Sequence, residues 1–341
     1  MSGRITIQRV AELADVSKAT VSRVLNGYPH VRPEVREKVQ RVIRETGYQP
    51  NNIARMLASD RSSIIGFVIS SSAQMVFHDP YFPALTEAVS DAAGDRGLIM
   101  ALFMSHADGQ GHRTVNSILA AGLFDGLILT ADAKGSSIFP QQLAPDMPIV
   151  FIGRPSQADG MHYVDVDNVQ GGYLATSHLI DLGHRRIATI GSNRNASGED
   201  RVTGYRRALS QRGLAFDERL VAFGDYSLES GYASMQALLP YKPEAVFVAS
   251  DTMALGALRA LREAGLRAPD DIALVSHDDL PPAVQADPPL TTVQQPIART
   301  GQLAVEKLER IIAQGGAVRA EKTILPVKLV VRESCGAVQS I

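Results

Sequence analysis

The 341-residue sequence contains one cysteine, Cys335, which excludes an internal disulfide framework and a cysteine metal cluster. The simplest role for that cysteine is a small apolar side chain in the core. The sequence also lacks an apolar run of about 18 residues, the length that a membrane-spanning helix requires. Its first ten residues lack the apolar core of a signal peptide. We therefore expect a cytoplasmic protein that does not enter a membrane.

The loops and clusters that serve enzymes are also missing. The sequence has no Walker-type or GxGxxG loop at the start of either half of its longer part, so a nucleotide-dependent enzyme has little support. The pair Asp278–Asp279, next to His277, could suit acid–base catalysis or a cation, but no further ligands cluster with it. We predict that the protein is not an enzyme and needs neither a metal nor a cofactor.

Charge is distributed unevenly along the chain, although the formal net charge is only -2. Residues 1–62 carry 11 Lys and Arg against 6 Asp and Glu, a net of +5. The remaining residues carry 23 basic against 30 acidic side chains, a net of −7. A basic segment attached to an acidic body predicts a polyanionic partner for the basic segment alone.

The basic segment has the pattern of three short helices. Thr6 precedes apolar residues at helical spacing and is the predicted N-cap of the first helix. Ser17 caps a second helix, and Pro33 starts a third that Gly47 ends. Two short helices joined by a tight turn predict a helix-turn-helix, whose second helix presents side chains to the DNA major groove. The alternative is a small helical bundle with solvated charges.

Four side chains point outward from the second helix: Lys18, Ala19, Ser22 and Arg23. Lys18 and Arg23 can donate to guanine O6 and N7 or to phosphates, and Ala19 leaves room for a thymine methyl group. These four residues are therefore expected to determine the sequence specificity of DNA binding.

The segments ITIQRVAELADVSKATVSRVLNGYPHVRPEVREKV and GYQPNNIARMLAS together resemble the DNA-binding head of the LacI/GalR repressors. The resemblance implies that Asn51–Ser59 is a hinge helix that forms when two subunits hold an operator, with Leu57 inserted into the minor groove. A helix of that length is marginal alone, because its nucleation cost is recovered over few hydrogen bonds. The alternative for Leu57 is a core leucine in an ordinary interdomain helix.

The predicted DNA-contacting residues are therefore Thr6, Ser17, Lys18, Ala19, Thr20, Ser22, Arg23, Asn26, His30, Asn51, Ala54, Leu57 and Ala58. Further phosphate contacts are expected from Arg9, Arg32 and Arg55.

After residue 62 the pattern changes to short apolar runs alternating with amphipathic helices. The runs, which are typical of parallel strands covered on both faces, are 64–70, 98–104, 125–130, 148–153, 186–191, 220–226, 245–250 and 272–278. Helices are predicted between them, for example over 82–96 and 112–122. The simplest fold is α/β, with two doubly wound parallel sheets.

This longer part also contains signatures of the LacI/GalR body, such as VDVDNVQGGYLATSHLIDLGHRRIATI and DDLPPAVQADPPLTTVQQP. That body resembles periplasmic sugar-binding proteins, with a ligand between two lobes. The resemblance implies four parts: a helix-turn-helix head (1–50), a hinge helix and linker (51–62), an N-terminal lobe (63–164 with 294–325) and a C-terminal lobe (165–293 with 326–341). The chain is expected to cross between lobes near 163–167, 292–296 and 325–328.

Ligands of open α/β folds bind at the carboxyl ends of the strands, which selects particular loops. In the LacI/GalR family an arginine binds the effector, and an acidic residue lies opposite it. The resemblance assigns these positions to Arg201 and Asp278. The full predicted set is Asp79, Tyr81, Phe82, Thr130, Arg154, Ser197, Arg201, Tyr226, Ser250, Asp251, His277, Asp278 and Gln295. An arginine, a carboxylate and aromatic rings together suit a sugar.

Several features leave the ligand open. Tyr81 and Phe82 could be core aromatics, and Arg201 could pair within its own loop. His277 replaces the aromatic residue, and Gly153 the aspartate, that many family members have. The segment 73–80 is expected to lengthen the loop after the first strand, and its Asp79 adds an acceptor. A wider, more polar pocket suits a di- or oligosaccharide better than a purine.

Together with these patterns, the resemblance to the LacI/GalR family implies a transcriptional repressor of carbohydrate-use genes that works as a homodimer on a palindromic DNA operator. A small saccharide is expected to release it. A leucine heptad for tetramer formation is absent from the C-terminal ESCGAVQSI. The alternatives are a regulator with a non-sugar ligand or a corepressor, an activator, or a sugar-binding protein.

Overall fold

The structure is a computed structural model of the chain. It describes residues 5–25, 28, 30–48, 62–104, 122–131, 147–316 and 318–337. The chain divides into two compact units between residues 62 and 63. The predicted DNA-contacting residues Asn26, Asn51, Ala54, Arg55, Leu57 and Ala58 lie outside the described residues. So does all but the last residue of the predicted helix 112–122.

The first unit contains the three predicted helices, which are confirmed as α1 (Ile7–Leu13), α2 (Lys18–Leu25) and α3 (Pro33–Thr46). Two predicted caps are present: Thr6 Oγ1 accepts from the Arg9 N–H at 3.3 Å, and Ser17 Oγ accepts from the Thr20 N–H at 3.1 Å. Gly47 ends α3 with φ of 61°. The helices share one apolar core, whose buried residues are Val10, Ala11, Ala14, Val21, Val24, Val39, Val42 and Tyr48.

The second unit contains two six-stranded sheets. The first sheet has the order β11-β5-β4-β3-β1-β2, and each strand pairs in parallel with its neighbours. Its strands are β1 (Ile64–Ile69), β2 (Ile99–Met104), β3 (Gly126–Thr130), β4 (Ile149–Ile152), β5 (His162–Val166) and β11 (Lys322–Leu325). The central strands β1, β3 and β4 are almost wholly buried, as continuous apolar runs predict.

The second sheet has the order β12-β10-β9-β8-β6-β7, in which only the β10–β12 pair is antiparallel. Its strands are β6 (Ile187–Gly191), β7 (Val221–Phe223), β8 (Ala245–Val248), β9 (Ala273–Asp278), β10 (Thr291–Gln294) and β12 (Lys328–Val330). The eight strands predicted from apolar runs are all present, and the predicted α/β class with two doubly wound sheets is confirmed.

Helices cover both sheets. They are α4 (Ala73–His78), α5 (Tyr81–Gly94), α6 (Asn168–Asp181), α7 (Ala196–Gln211), α8 (Leu228–Leu238), α9 (Asp251–Glu263), α10 (Pro281–Gln285) and α11 (Ile297–Ala313). Within the described ranges, no helix is both long and apolar enough to cross a bilayer. The helix α11 packs with α5 against the first sheet, burying Ala304, Val305, Leu308 and Ile311 beside Leu85 and Val89.

The chain passes between the two sheets three times. It leaves the first sheet after β5 to form α6, returns after β10 to form α11, and leaves again between β11 and β12. The predicted lobe limit at residue 164 falls inside β5, which belongs wholly to the first sheet. The other predicted lobe limits stay a prediction.

The segment 73–80 was expected to lengthen the loop after β1. In the structure, residues 73–78 of this segment form the short helix α4. Ser72 caps this helix by accepting a hydrogen bond from the Met75 N–H at 3.0 Å. Since α4 leads directly through Asp79 and Pro80 into α5, it fixes where Asp79 and Tyr81 stand relative to the first sheet.

Candidate functional site

The outward face of α2 carries the side chains expected to read DNA. Lys18, Ala19 and Arg23 are exposed and Ser22 is half-buried, while Val21 and Val24 on the opposite face are buried. Of the other predicted contacts, Thr6, Ser17 and His30 are exposed and Thr20 is half-buried. This arrangement presents a short cationic helix to solvent, as a helix-turn-helix requires.

In the second unit, the carboxyl ends of strands from both sheets surround a cavity of about 340 Å³. This volume lies in the range of roughly 300–1,000 Å³ that small-molecule sites occupy. Nine predicted binding residues line the cavity: Asp79, Tyr81, Phe82, Thr130, Ser197, Arg201, Tyr226, Asp278 and Gln295.

Arg201 lies at the centre of a hydrogen-bond network in the cavity wall, and only 5% of its surface is exposed. Its Nε donates to Asn168 Oδ1 at 2.9 Å, and its Nη1 donates to the Ala249 carbonyl at 2.5 Å. Nη1 also lies 3.5 Å from Asp278 Oδ1. Arg201 therefore does not pair within its own loop; its partners lie on three other segments.

Asp278 is held in an unusual backbone conformation. Its φ of 124° lies in a region that L-residues rarely adopt, so the surrounding structure must stabilise it. Gln295 Nε2 donates to Asp278 Oδ1 at 2.5 Å, and His277 Nδ1 lies 3.1 Å from the same oxygen. The carboxylate is thereby fixed in the cavity wall opposite the first sheet.

Aromatic rings supply the apolar part of the wall. Tyr81 and Phe82, in the first turn of α5, meet edge to face with centroids 5.5 Å apart. Both also pack against the core of the first sheet, so these two rings belong to the core and line the cavity as well. From the other side, Tyr226 Oη donates to Asn195 Oδ1 at 3.0 Å. These rings can stack on the apolar face of a sugar.

Two buried carboxyl groups in the wall are shifted towards the neutral form. Burial raises the pKa of Asp79 to about 7, with a smaller contribution from the negative charge of Asp278. Burial also raises the pKa of Asp165 to about 6. Both groups can exchange a proton near neutral pH, and both can accept hydrogen bonds from ligand hydroxyl groups when ionised.

Ser250 and Asp251 were expected to contact the ligand, but the structure gives both a different role. Ser250 Oγ caps α9 by accepting from the Met253 N–H at 3.2 Å. Asp251 is fully buried and accepts from Ser276 Oγ and Thr292 Oγ1 at 2.5 and 2.8 Å. Neither lines the cavity, because both side chains turn into the structure that joins α9 to the second sheet.

His277 and Arg154 also stand outside the lining. His277 is fully buried next to Gly171 of α6, and burial lowers its pKa to about 4. Its Nδ1 contacts the carboxylate of Asp278, which does line the cavity. Arg154 binds both carboxylate oxygens of Asp200 through Nη2, at 2.6 and 2.8 Å. The guanidinium group of Arg154 is therefore bound to a residue of α7 and does not face the cavity.

Sequence reasoning missed other residues of the wall, among them Asp165, Asn168 and Asn195. Asp165 Oδ1 accepts from Asn168 Nδ2 at 3.1 Å, which connects β5 to the Arg201 network. The sequence does contain a pattern that points to Asp165 and Asn168, because both lie at the carboxyl end of a strand inside the signature VDVDNVQGG. Asn195 caps α7, the helix that carries Arg201.

Comparison with known proteins gives consistent matches over both units. A model described as bacterial regulatory proteins, lacI family, matches residues 6–51. A periplasmic binding protein-like domain matches residues 176–335. The HTH-type transcriptional regulator CelR of Thermobifida fusca is 40% identical over 338 residues, which cover 97% of this chain and 98% of that protein.

Two solved structures extend the comparison to three dimensions. A CelR–cellobiose complex has 38% sequence identity and a TM-score of 0.77, covering 97% of this chain and 100% of that one. The lac repressor dimer bound to operator and the anti-inducer ONPF has 32% identity and a TM-score of 0.85, covering 98% of this chain and 100% of that one.

Proposed function

Because this chain belongs to the LacI family of bacterial regulatory proteins, and so is a DNA-binding regulator of transcription rather than an enzyme, we propose that it represses carbohydrate-use genes until a small saccharide releases it from its operator. The resemblance noted in the sequence is thus confirmed. The saccharide, the direction of regulation and the residues that bind each ligand belong to the proposal.

The observation that carries the proposal is the composition of the cavity wall. Carboxylates of Asp79, Asp165 and Asp278 offer acceptors to ligand hydroxyl groups, and Arg201 offers a donor. The rings of Tyr81 and Phe82 offer an apolar face beside them. Buried polar groups alternating with aromatic faces match a sugar ring, which has hydroxyl groups at its edge and C–H groups on its faces.

The relatives support this ligand class. One structure of similar fold is a complex of a transcriptional regulator with cellobiose. The cavity volume and the wide set of polar residues suit a disaccharide of this kind. We therefore take cellobiose as the first ligand to test.

On DNA, we propose that two copies of the chain bind a palindromic operator, each placing α2 in a major groove. The similar structure of a lac repressor dimer on its operator supports this assembly. Helix-turn-helix dimers contact half-sites about one helical turn apart, so a change in the distance between two heads changes affinity. A coupling of about 1–3 kcal/mol between effector and operator sites corresponds to a 5–150-fold change in operator affinity.

The test is fluorescence anisotropy of a labelled operator, selected from genomic fragments, with the full-length protein. Cellobiose, maltose, lactose and the purine hypoxanthine are added in turn. The proposal expects at least one disaccharide to weaken operator binding and hypoxanthine to have no effect. Release by hypoxanthine alone contradicts the saccharide assignment. Tighter operator binding with a disaccharide shows a corepressor and contradicts the proposed direction of control.

A further inference from the structure

The described wall of the cavity has more negative than positive side chains. Four carboxylates line it, those of Asp79, Asp165, Asp225 and Asp278, against the two guanidinium groups of Arg194 and Arg201. Arg194 and Asp225 lie 3.6 Å apart, with 55% and 37% of their side-chain surfaces exposed. They neutralise each other on the solvent side. The buried part of the wall is left with three carboxylates and one guanidinium.

Arg201, the one buried cation in the described part of the wall, already has several partners. Arg201 pairs with Asp278 and donates to Asn168 and to the Ala249 carbonyl. The guanidinium of Arg154 stands nearby, but it binds both oxygens of Asp200 and does not line the cavity. In the part of the wall that the structure describes, both positive side chains are paired with carboxylates, so neither is free to pair with an anionic ligand.

Two of the buried carboxylates form no ion pair with a described residue, although the charge of Arg201 acts on both from a greater distance. Asp79, 8% exposed, accepts from the Tyr81 N–H at 3.1 Å. Asp165, 7% exposed, accepts from the N–H groups of Arg154 and Val166 and from the side-chain amide of Asn168. Both can accept further hydrogen bonds from neutral hydroxyl groups, whereas a ligand carboxylate or phosphate would add like charge in a poorly solvated space.

We propose that this cavity selects uncharged polyhydroxylated sugars and rejects sugars that carry a carboxylate or phosphate, with Asp79 and Asp165 as the groups that discriminate. This inference rests on the proposed saccharide function, and it names the class of saccharide. The raised pKa values of Asp79 and Asp165 agree with it, since burial disfavours their ionised forms more than the nearby charge of Arg201 favours them.

The experiment uses isothermal titration calorimetry of the full-length protein with matched sugars. Cellobiose, maltose and lactose are each compared with the corresponding uronic acid, in which the C6′ hydroxymethyl group is a carboxylate. The two members of a pair have nearly the same shape and differ in charge. For the pair that contains the tightest neutral ligand, we expect the acid to bind at least about twentyfold more weakly at pH 8.

The variant Asp79→Asn removes one charge and keeps the oxygen that accepts from Tyr81. It is expected to reduce the discrimination between the neutral sugar and its acid at least about threefold. The matched control is Asp181→Asn at the far end of α6, where Asp181 pairs with Arg212 on the surface. That control is expected to leave the discrimination unchanged. The comparison within the unaltered protein does not depend on either variant folding.

The outcomes separate the two proposals. An acid that binds as tightly as its neutral partner, or more tightly, overturns the charge selection while the saccharide function stands. If hypoxanthine binds and none of the six sugars does, the saccharide function fails and the charge selection fails with it.

Discussion

The side chain of Arg201, which lines the cavity, is held in one orientation by three other segments of the chain. Its contacts to Asn168, Ala249 and Asp278 fix the guanidinium plane, so little rotamer freedom is left to lose when a ligand binds. The same contacts hold β9, α6 and α7 around one point. Arg201 thus connects these elements and also lines the cavity.

The first prediction concerns Asp79 and pH. A ligand hydroxyl group that donates to Asp79 favours the ionised form of this carboxyl group. Burial raises the pKa of Asp79 to about 7. The groups that act on Asp79 are Asp278, Arg201 and the Tyr81 N–H. Sugar affinity should therefore rise about tenfold between pH 6 and pH 8, as Asp79 loses its proton.

Calorimetry at the two pH values measures this change. Asp165, whose pKa burial raises to about 6, acts in the same direction at the lower end of the range. The variant Asp79→Asn should have lower affinity at pH 8 and a much smaller pH dependence. An unchanged slope in that variant would assign the proton to another group.

At the scale of elements, glycines set how closely two pairs of helices approach. A Cβ on Gly204 of α7 would lie 2.0 Å from the Val169 carbonyl oxygen of α6. In α8 and α9, a Cβ on Gly256 would lie 2.0 Å from the Leu228 carbonyl oxygen. In each case the obstacle is backbone, which cannot rotate away. Since α6 and α7 carry Asn168 and Arg201, the first contact also positions the site.

The second prediction follows from that contact. Gly204→Ala should lower the free energy of unfolding by about 2–3 kcal/mol, because α6 and α7 must separate. Gly94→Ala is the matched control, since nothing lies within 4 Å of the Cβ that would be added there. The control should be neutral or stabilising by up to about 1 kcal/mol. Urea denaturation of both variants provides the measurement, and equal midpoints would show that the helices can yield at no cost.

The third prediction concerns the hinge, which lies outside the described residues. If residues 51–59 form a helix on the operator with Leu57 between base pairs, Leu57→Gly removes the inserted side chain and weakens the helix. We expect a loss of operator affinity of at least about tenfold, with sugar affinity nearly unchanged. Anisotropy and calorimetry on the same preparation test this. Comparable losses in both affinities would instead place Leu57 in a core.

At the scale of the whole second unit, an ion pair joins the parts built on the two sheets. Arg154 follows β4 of the first sheet, and Asp200 belongs to α7 beside the second. The Arg154 N–H also donates to Asp165, a residue of the cavity wall, at 3.0 Å. A movement that separates the two sheets would break this pair, so the pair stabilises their present arrangement around the cavity.

The fourth prediction tests whether the ion pair between Arg154 and Asp200 contributes to sugar affinity. Arg154→Glu should weaken sugar binding about two- to fivefold, a modest effect because partly exposed ion pairs contribute about 1 kcal/mol or less. The double variant Arg154→Glu with Asp200→Arg should recover most of the loss. As a control, the same exchange at Arg212 and Asp181, which join α7 to α6 beside one sheet, should not change sugar affinity. Failure of the double variant to recover would show that Arg154 acts by another route.

Periodicity and end signals were sufficient for most elements. The three helices of the head, with the caps Thr6 and Ser17, and eight strands of the body follow from local patterns. The helix α4 escaped prediction because its six residues are too few to show a helical period. The strands β11 and β12 are short and only partly buried, so they have no continuous apolar run.

For the site, the sequence determined which segments could supply binding residues, because the ends of parallel strands are found from apolar runs. It also determined the family, since the head and body signatures are spread over nearly the whole chain. Only the tertiary structure decided which side chains face the cavity. Ser250, Asp251 and Arg154 have the same residue types and strand-end positions as true wall residues, but their partners come from distant segments that no local pattern specifies.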